Sequence, residues 1–305
     1  MRSDFDIGAY IDEHRLQLQE WGGVVASEIS ALHASLLKMP VSPRVKDVES
    51  ARKKQFKKKY ADPAVDMTDL VGVRFVVLTS DDLIPILETI KSSSRWKHKQ
   101  TRNPDDEAAT EPDKFGYQSH HYELRPQDGP PWCCEVQVRT LLQHTMAELS
   151  HDAIYKASQD PPSQALRLVA RSIALMETTD ELLCMAMGSV RASQAPFEAF
   201  RKEALSQAAA VGGGGAELLD DLFGTYPAYF SYEAISDFRD FIARRDYIFS
   251  KISSRRGRGI FGFPASCLVV YWLASKSARR VERKWPFPGA IAELRQVFSD
   301  IGESA

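Results

Sequence analysis

Cysteine is scarce in this chain, four in 305 residues, and its placement excludes the chemistry it most often signals. Cys133 and Cys134 are adjacent, which on a strand sends their side chains to opposite faces, while Cys184 and Cys267 stand alone. There is no CxxC pair and the histidines are scattered. Neither a zinc site nor a disulfide framework is therefore expected, and reduced, mostly buried thiols are. Net charge is also small, −2, so the chain does not read as a nucleic-acid-coating protein and any phosphate-binding charge must be local. Long apolar runs are missing too. The longest, Ile260 to Ala274, is interrupted by Pro264 and falls short of the roughly 20 residues that span a bilayer, so it reads as a buried helix. The N-terminus has no basic segment followed by an apolar run, which argues against a secretory signal and leaves the cytoplasm as the default location.

What is present divides at Pro161-Pro162. Before it, helical and strand periodicities mix. Ile11, Leu18, Trp21, Val25, Ile29, Leu32 and Leu36 lie along one side of a helix within Ala9–Lys38, which Pro40 and Pro43 end. A second helix is expected from Arg44 or Val45 to Tyr60, and it is strongly basic. Such a run is usually a solvated face, but Lys46, Ser50, Lys53 or Lys54, and Lys57 recur every three to four residues near a helix start, where backbone N–H groups also favour anions. Asp69 to Thr79 has the β-branched character of a central strand, with Arg74 in its middle needing either a carboxylate or a ligand. A short helix capped by Asp81, a strand over Trp96–Thr101 and a mobile polar loop over Asn103–Pro112 are expected next.

Two further strands, His120–Arg125 and Trp132–Thr140, follow the segment Asp-Lys-Phe-Gly-Tyr-Gln-Ser-His-His-Tyr (113–122). There Gly116 permits a turn, Tyr117 offers an aromatic face, and Lys114 and His121 bring charge. Taken alone this is an ordinary hairpin turn as readily as a nucleotide loop. In the second strand Cys133, Glu135, Gln137 and Arg139 alternate with Cys134, Val136 and Val138, giving one polar face and one apolar face. A helix from Leu141 to about Ala157 could bring Gln143, Glu148, His151 and Tyr155 to the same side. Beyond Pro162 the pattern is helical: Ser163–Arg191, Pro196–Ala210, a Gly212–Gly215 linker, Ala216–Leu222, Tyr232–Phe249, Pro264–Lys284 and Pro288–Ile301. No catalytic constellation stands out there. Basic clusters at Arg255, Arg256 and Arg258, and at Arg279, Arg280, Arg283 and Lys284, read first as solvated or structural.

Five segments in order resemble the synthetase domain of the RelA/SpoT family: Arg44-Val-Lys46 with Ser50 and Lys54, Asp69-Leu-Val-Gly-Val-Arg74, Gly116-Tyr-Gln-Ser-His-His121, Glu135-Val-Gln-Val-Arg-Thr140, and Gln143 through Ala147-Glu148, His151 and Tyr155-Lys156. The resemblance implies an α+β fold, a nucleotidyltransferase-like mixed β-sheet flanked by helices over residues 1–160, followed by an all-helical extension of unassigned role over 161–305. It also implies transfer of pyrophosphate from ATP to the 3′-hydroxyl of GDP or GTP, leaving AMP. In that reading Glu135 takes the hydroxyl proton, and Mg²⁺ is held by Asp69 with help from Glu135. Lys46, Ser50 and Lys54 hold the ATP phosphates and Arg44 and Arg74 sandwich the adenine. Tyr117 stacks on the acceptor base, with Lys114, His121, Gln137 and Arg139 around it. The chain departs from the family pattern at Met146 and at His120, whose side chain is expected to face away from the site. No upstream hydrolase domain is expected, since only the residues before Arg44 precede the motifs, and His151-Asp152 falls inside a synthetase motif. Two other functions fit the same motifs. One is a toxin-type relative that modifies tRNA 3′ ends or adenine nucleotides and has an antitoxin partner; the other is a guanine-nucleotide-binding regulator without turnover. A membrane partner is not expected, and homo-oligomerisation is left open.

Overall fold

The computed structural model describes residues 5–58, 60–111, 118–150 and 161–304. It divides into two compact units, Met1–Ala186 and Met187–Ala305. The expected boundary at Pro161-Pro162 comes earlier than this division, which falls inside a single helix, α7 (Ser163–Ala208). Two helices were expected here because Pro196 normally ends one. Instead Pro196 is tolerated within the helix, even though a proline there forfeits a backbone hydrogen bond and costs about 3 kcal/mol. The turns that follow it carry Phe200, Ala204 and Ala208 into the core of the second unit, and that burial offsets the penalty.

The first unit is built on a five-stranded mixed sheet: β1 (Arg44–Val45), β2 (Val71–Val77), β3 (Trp96–Arg102), β4 (His120–Pro126) and β5 (Cys134–Thr140), in the order β1-β2-β5-β4-β3. Among the described strands only β2 and β5 pair in parallel, with β5 the central strand. One face is apolar. Val71, Val73, Phe75, Val77, Tyr122, Leu124, Cys134, Val136 and Val138 pack there against Ile11, Leu18, Val25 and Ile29 of α1 (Ile7–His33) and Ile86 and Ile90 of α4 (Leu83–Ser92). At the closest approach of α1, a Cβ on Gly22 would lie 2.6 Å from Cβ of Pro43 and 2.7 Å from Cγ2 of Val71, so only glycine fits without a shift. Trp21 Nε1 fixes the same contact by donating to the Leu124 carbonyl at 3.3 Å. The edges are blunted, β1 by being two residues long and β3 by exposed Lys97 and Lys99.

Two local expectations give way to stronger signals. Arg44 and Val45 do not begin a helix; they pair with Gly72 and Val71 as β1, and α2 (Val48–Lys57) starts after Asp47, whose carboxylate accepts from Ser50 N at 3.0 Å. The strong N-cap preference of Asp places the start there. Residues 103–112 are not all loop, because α5 (Pro104–Thr110) forms with Asn103 as N-cap, Pro104 in its first turn and three acids behind it. The remaining short helices of this unit are α3 (Pro63–Asp66) and α6 (Leu141–Ser150).

The second unit is helical: α8 (Leu219–Thr225), α9 (Tyr232–Ala243), α10 (Tyr247–Ser254), α11 (Pro264–Arg283) and α12 (Ile291–Ile301). Every residue from Pro264 to Ala274 is buried, so the apolar stretch is a core helix as expected; among the described residues no helix is long and apolar enough to cross a membrane. Residues Gly212–Gly215, expected to be a linker, instead cap that helix. Gly214 O accepts from Ala265 N at 3.1 Å and Gly215 O from Ser266 N at 2.9 Å, satisfying donors that a helix start leaves open. Gly215 has φ +73° and its missing Cβ would meet Pro264 Cδ at 2.3 Å.

All four cysteines are free, and three are buried; burial pushes the Cys133 thiol up to about 12 and those of Cys134 and Cys267 higher still.

Candidate active site

The face of the sheet opposite α1 is polar, and strand alternation decides what it carries. Because β2 and β5 are parallel and in register, Gly72 lies beside Glu135 and Arg74 beside Gln137; β4 adds His121 beside Gln137. A cavity of about 400 Å³ opens over this patch. Arg44, Lys46, Ser50, Asp69, Arg74, Glu135 and Gln137 line it, all of them expected site residues. Met39, Pro40 and Ser42 also line it; in the sequence Pro40 reads only as a helix terminator.

At its centre is Asp69, just ahead of β2. Lys46 Nζ lies 2.7 Å and Lys54 Nζ 2.8 Å from its Oδ2, whereas its buried Oδ1 has no hydrogen-bond partner among the described residues. Burial raises the Asp69 pKa, but the two ammonium groups outweigh it, so the carboxyl sits below its ordinary value. Lys54 answers in kind: burial works against its charge, and Asp69 more than restores it. Lys46 and Lys54 thus reach one point from different elements, β1–α2 connection and helix, while Lys53 and Lys57 are exposed.

Glu135 is held by both oxygens. Gln137 Nε2 donates to Oε2 at 3.0 Å and His121 Nδ1 lies 3.6 Å from Oε1. Burial raises its pKa and the neighbouring Asp69 charge adds to that, but His121 and Gln137 prevail, leaving it below the ordinary glutamate value and ionised at neutral pH.

Arg74 projects from the polar face rather than into the core, half-exposed, and it meets a carboxylate: its NH1 donates to Glu148 Oε1 at 3.0 Å. Arg139, only 1% exposed, donates to the same oxygen at 3.2 Å, and His144 Nδ1 is 3.6 Å from it. Arg139 is therefore turned toward α6 and is not among the residues lining the cavity. Gln143 is used locally, since its side chain accepts from Thr140 N at 2.9 Å while its own N–H donates to Thr140 Oγ1, a capping box for α6. His120 faces the buried side of the sheet, away from the cavity, as expected. Lys114, Tyr117, His151 and Tyr155 lie outside the described residues.

A charged cavity with a carboxylate pair on a mixed sheet, flanked by lysines and two arginines, has the charge and the donors to receive a phosphate-bearing ligand. Residues 43–160 match the family model described as the region found in RelA/SpoT proteins, so this part of the chain is a RelA/SpoT-type region. The GTP pyrophosphokinase YjbM of Bacillus subtilis (strain 168) is 26% identical over 168 residues, 53% of this chain and 78% of that protein. Two solved structures share the fold. A GTP pyrophosphokinase family protein from Streptococcus pneumoniae has a TM-score of 0.50 at 21% identity, covering 61% of this chain and 95% of that one. The small alarmone synthetase 1 from Bacillus subtilis, bound to its product pppGpp, has a TM-score of 0.50 at 22% identity, covering 60% and 96%.

Proposed function

We propose that this cavity transfers a pyrophosphate group from ATP to the 3′-hydroxyl of GDP or GTP, releasing AMP. The observation that carries the reading is Asp69: one oxygen neutralised by two lysines, the other buried without a hydrogen-bond partner among the described residues, beside an ionised Glu135. That arrangement has the means to hold phosphates, a divalent cation and a proton acceptor within one pocket. In the reaction the acceptor 3′-oxygen attacks the β-phosphorus of ATP. The bond from that phosphorus to the oxygen bridging it to the α-phosphate breaks, and AMP leaves with the bridging oxygen. Glu135 takes the hydroxyl proton, with His121 and Gln137 positioning its carboxylate. Lys46 and Lys54, which share Asp69 here, hold the transferring phosphates together with Ser50.

The residues fit a hard divalent ion such as Mg²⁺, because the open Asp69 oxygen and Glu135 are the one or two carboxylates such an ion takes from protein when substrate phosphates supply the rest. When bound, the ion neutralises charge on the β-phosphate. Arg44, paired with Gly72 across β1 and β2, and Arg74, two residues further along β2, share one face of the sheet and both line the cavity, so that the adenine lies between their planar guanidinium groups. Glu148 holds Arg74 in place. Tyr117 and Lys114 complete the acceptor side as implied by the family motif, with Gln137 on the cavity wall.

The test is a competition assay: full-length protein with labelled ATP, Mg²⁺ and GDP, GTP, ATP and tRNA as acceptors. AMP and a 3′-pyrophosphorylated guanine nucleotide should form. A folded protein that releases no AMP would refute transfer altogether, and label on tRNA or on an adenine nucleotide would move the acceptor to the toxin-type reading.

A further inference from the structure

A second cavity, of about 460 Å³, shares no lining residue with the first and has the opposite electrostatic character. Its walls come from the 3-10 turn Ser80–Asp82 and the first turns of α4, from α5, from the start of β4, from the β5–α6 junction and from the first half of α7. Five carboxylates line it, Asp81, Asp105, Glu177, Asp180 and Glu181, and no lysine or arginine does. Acidic residues alone would be only a solvated face. Two buried groups make this a site. Asp180 is 7% exposed; its Oδ2 accepts from Ser80 N at 3.2 Å, but its Oδ1 is buried without a hydrogen-bond partner among the described residues. His120, the position at which the chain departs from the family pattern, is 6% exposed and its Nδ1 is likewise unpartnered. Both residues line the cavity, and leaving such atoms dry and unpaired costs about 1–3 kcal/mol each.

The open atoms and the carboxylates ask for a donor with positive charge. An inorganic cation fits poorly, because no three acidic, histidine or cysteine side chains among the described residues converge as metal ligands. The charges are instead spread around an apolar floor of Leu83, Leu87 and Met176. Separated carboxylates over a hydrophobic surface complement separated ammonium groups joined by methylenes. We infer that this cavity binds a linear aliphatic polyamine, one ammonium donating to Asp180 Oδ1 and His120 Nδ1 and the others meeting the outer carboxylates. Burial lowers the His120 pKa, which keeps the ring neutral and one ring nitrogen free to accept. Glu177 already accepts from Gln118, so the amine joins an existing hydrogen bond there rather than an empty wall.

Calorimetric titration of the full chain with spermidine tests this, and it needs no turnover. One spermidine per chain should bind, more weakly as salt rises, with Asp180→Asn and the less buried Glu177→Gln each weakening it about tenfold, the scale of one charge-assisted contact. Thermal melts show whether each variant is folded, and Glu177→Gln keeps the test valid if Asp180→Asn is not. Butylamine, with a single ammonium, should bind less tightly than spermidine. Absence of binding, binding unchanged in both folded variants, equal affinity for butylamine, or displacement by Mg²⁺ at comparable concentration would each overturn the assignment.

Discussion

Asp69 in the first unit and Asp300 in the second are both nearly buried aspartates surrounded by cations, and they have opposite consequences. At Asp300 every valence is used. Arg255 donates to both oxygens, Tyr271 Oη donates to Oδ2 at 2.6 Å, and Gln296 Nε2 lies 3.4 Å from Oδ1. At Asp69 two lysines crowd one oxygen and the other has no partner among the described residues. A saturated carboxylate ties α10, α11 and α12 together. One with an open oxygen, in a cavity, is equipped for a ligand. Low accessibility and a lowered pKa do not separate these two cases, since the carboxyl is held below its ordinary value at both. The unfilled atom does.

The comparison can be broken most sharply at Glu135. Glu135→Gln should lower AMP release by about 10²–10⁴-fold, the usual worth of a positioned general base, with only a small drop in melting temperature from losing the charge that His121 and Gln137 favour. A variant that loses stability instead would put Glu135 with Asp300 on the structural side. Asp300→Ala should do the reverse, costing about 3–5 kcal/mol by leaving Arg255 without its partner, read as a large drop in melting temperature. A packing contrast comes next. Gly22→Ala forces a Cβ into Pro43 and Val71 and should cost about 1–3 kcal/mol, whereas Gly23→Ala meets nothing within 4 Å and should stabilise α1 by up to about 1 kcal/mol. Equal effects at the two positions would show that α1 does not approach β1 and β2 this closely.

The smallest effect is in acid. Asp69 and Glu135 release their protons more readily in the folded chain than at their ordinary values of 3.8 and 4.5. Their stabilisation is therefore complete above those values and is lost as pH falls through the lower folded ones. Melts recorded from neutral pH downward should show stability falling in that range, and Asp69→Asn should make the decline shallower. A steeper decline would mean that Asp69 is held protonated.

How much of this was legible beforehand depended on whether a single period governed a segment. In β5, Glu135 and Gln137 against Val136 and Val138 state the two faces outright, and the Pro264–Ala274 run states a buried helix. Of the cavity's residues, Glu135 and Gln137 were legible for the same reason, whereas Arg44, Lys46, Ser50, Asp69 and Arg74 were marked by the resemblance of their segments to the RelA/SpoT motifs, and the basic helix expected to carry Lys46 starts only after it. What was not legible depended on partners distant in sequence. Nothing local shows that Arg44 pairs with Gly72, that Arg74 and Arg139 converge on Glu148, or that Phe200 carries a helix past Pro196. α5 was missed although its Asn103 cap, Pro104 and three acids are strong start signals, because no apolar stripe accompanies them.

The parallel pairing of β2 with β5 has a consequence for insertions and deletions. With a side-chain period of two, one residue added between Val71 and Arg74 would rotate the rest of the strand, turning core residues outward and Arg74 toward α1. The charged face and the core are two readings of one chain length. Point substitutions on the outward side can therefore retune this cavity while leaving the interior alone, but a change in the number of residues cannot alter one without destroying the other.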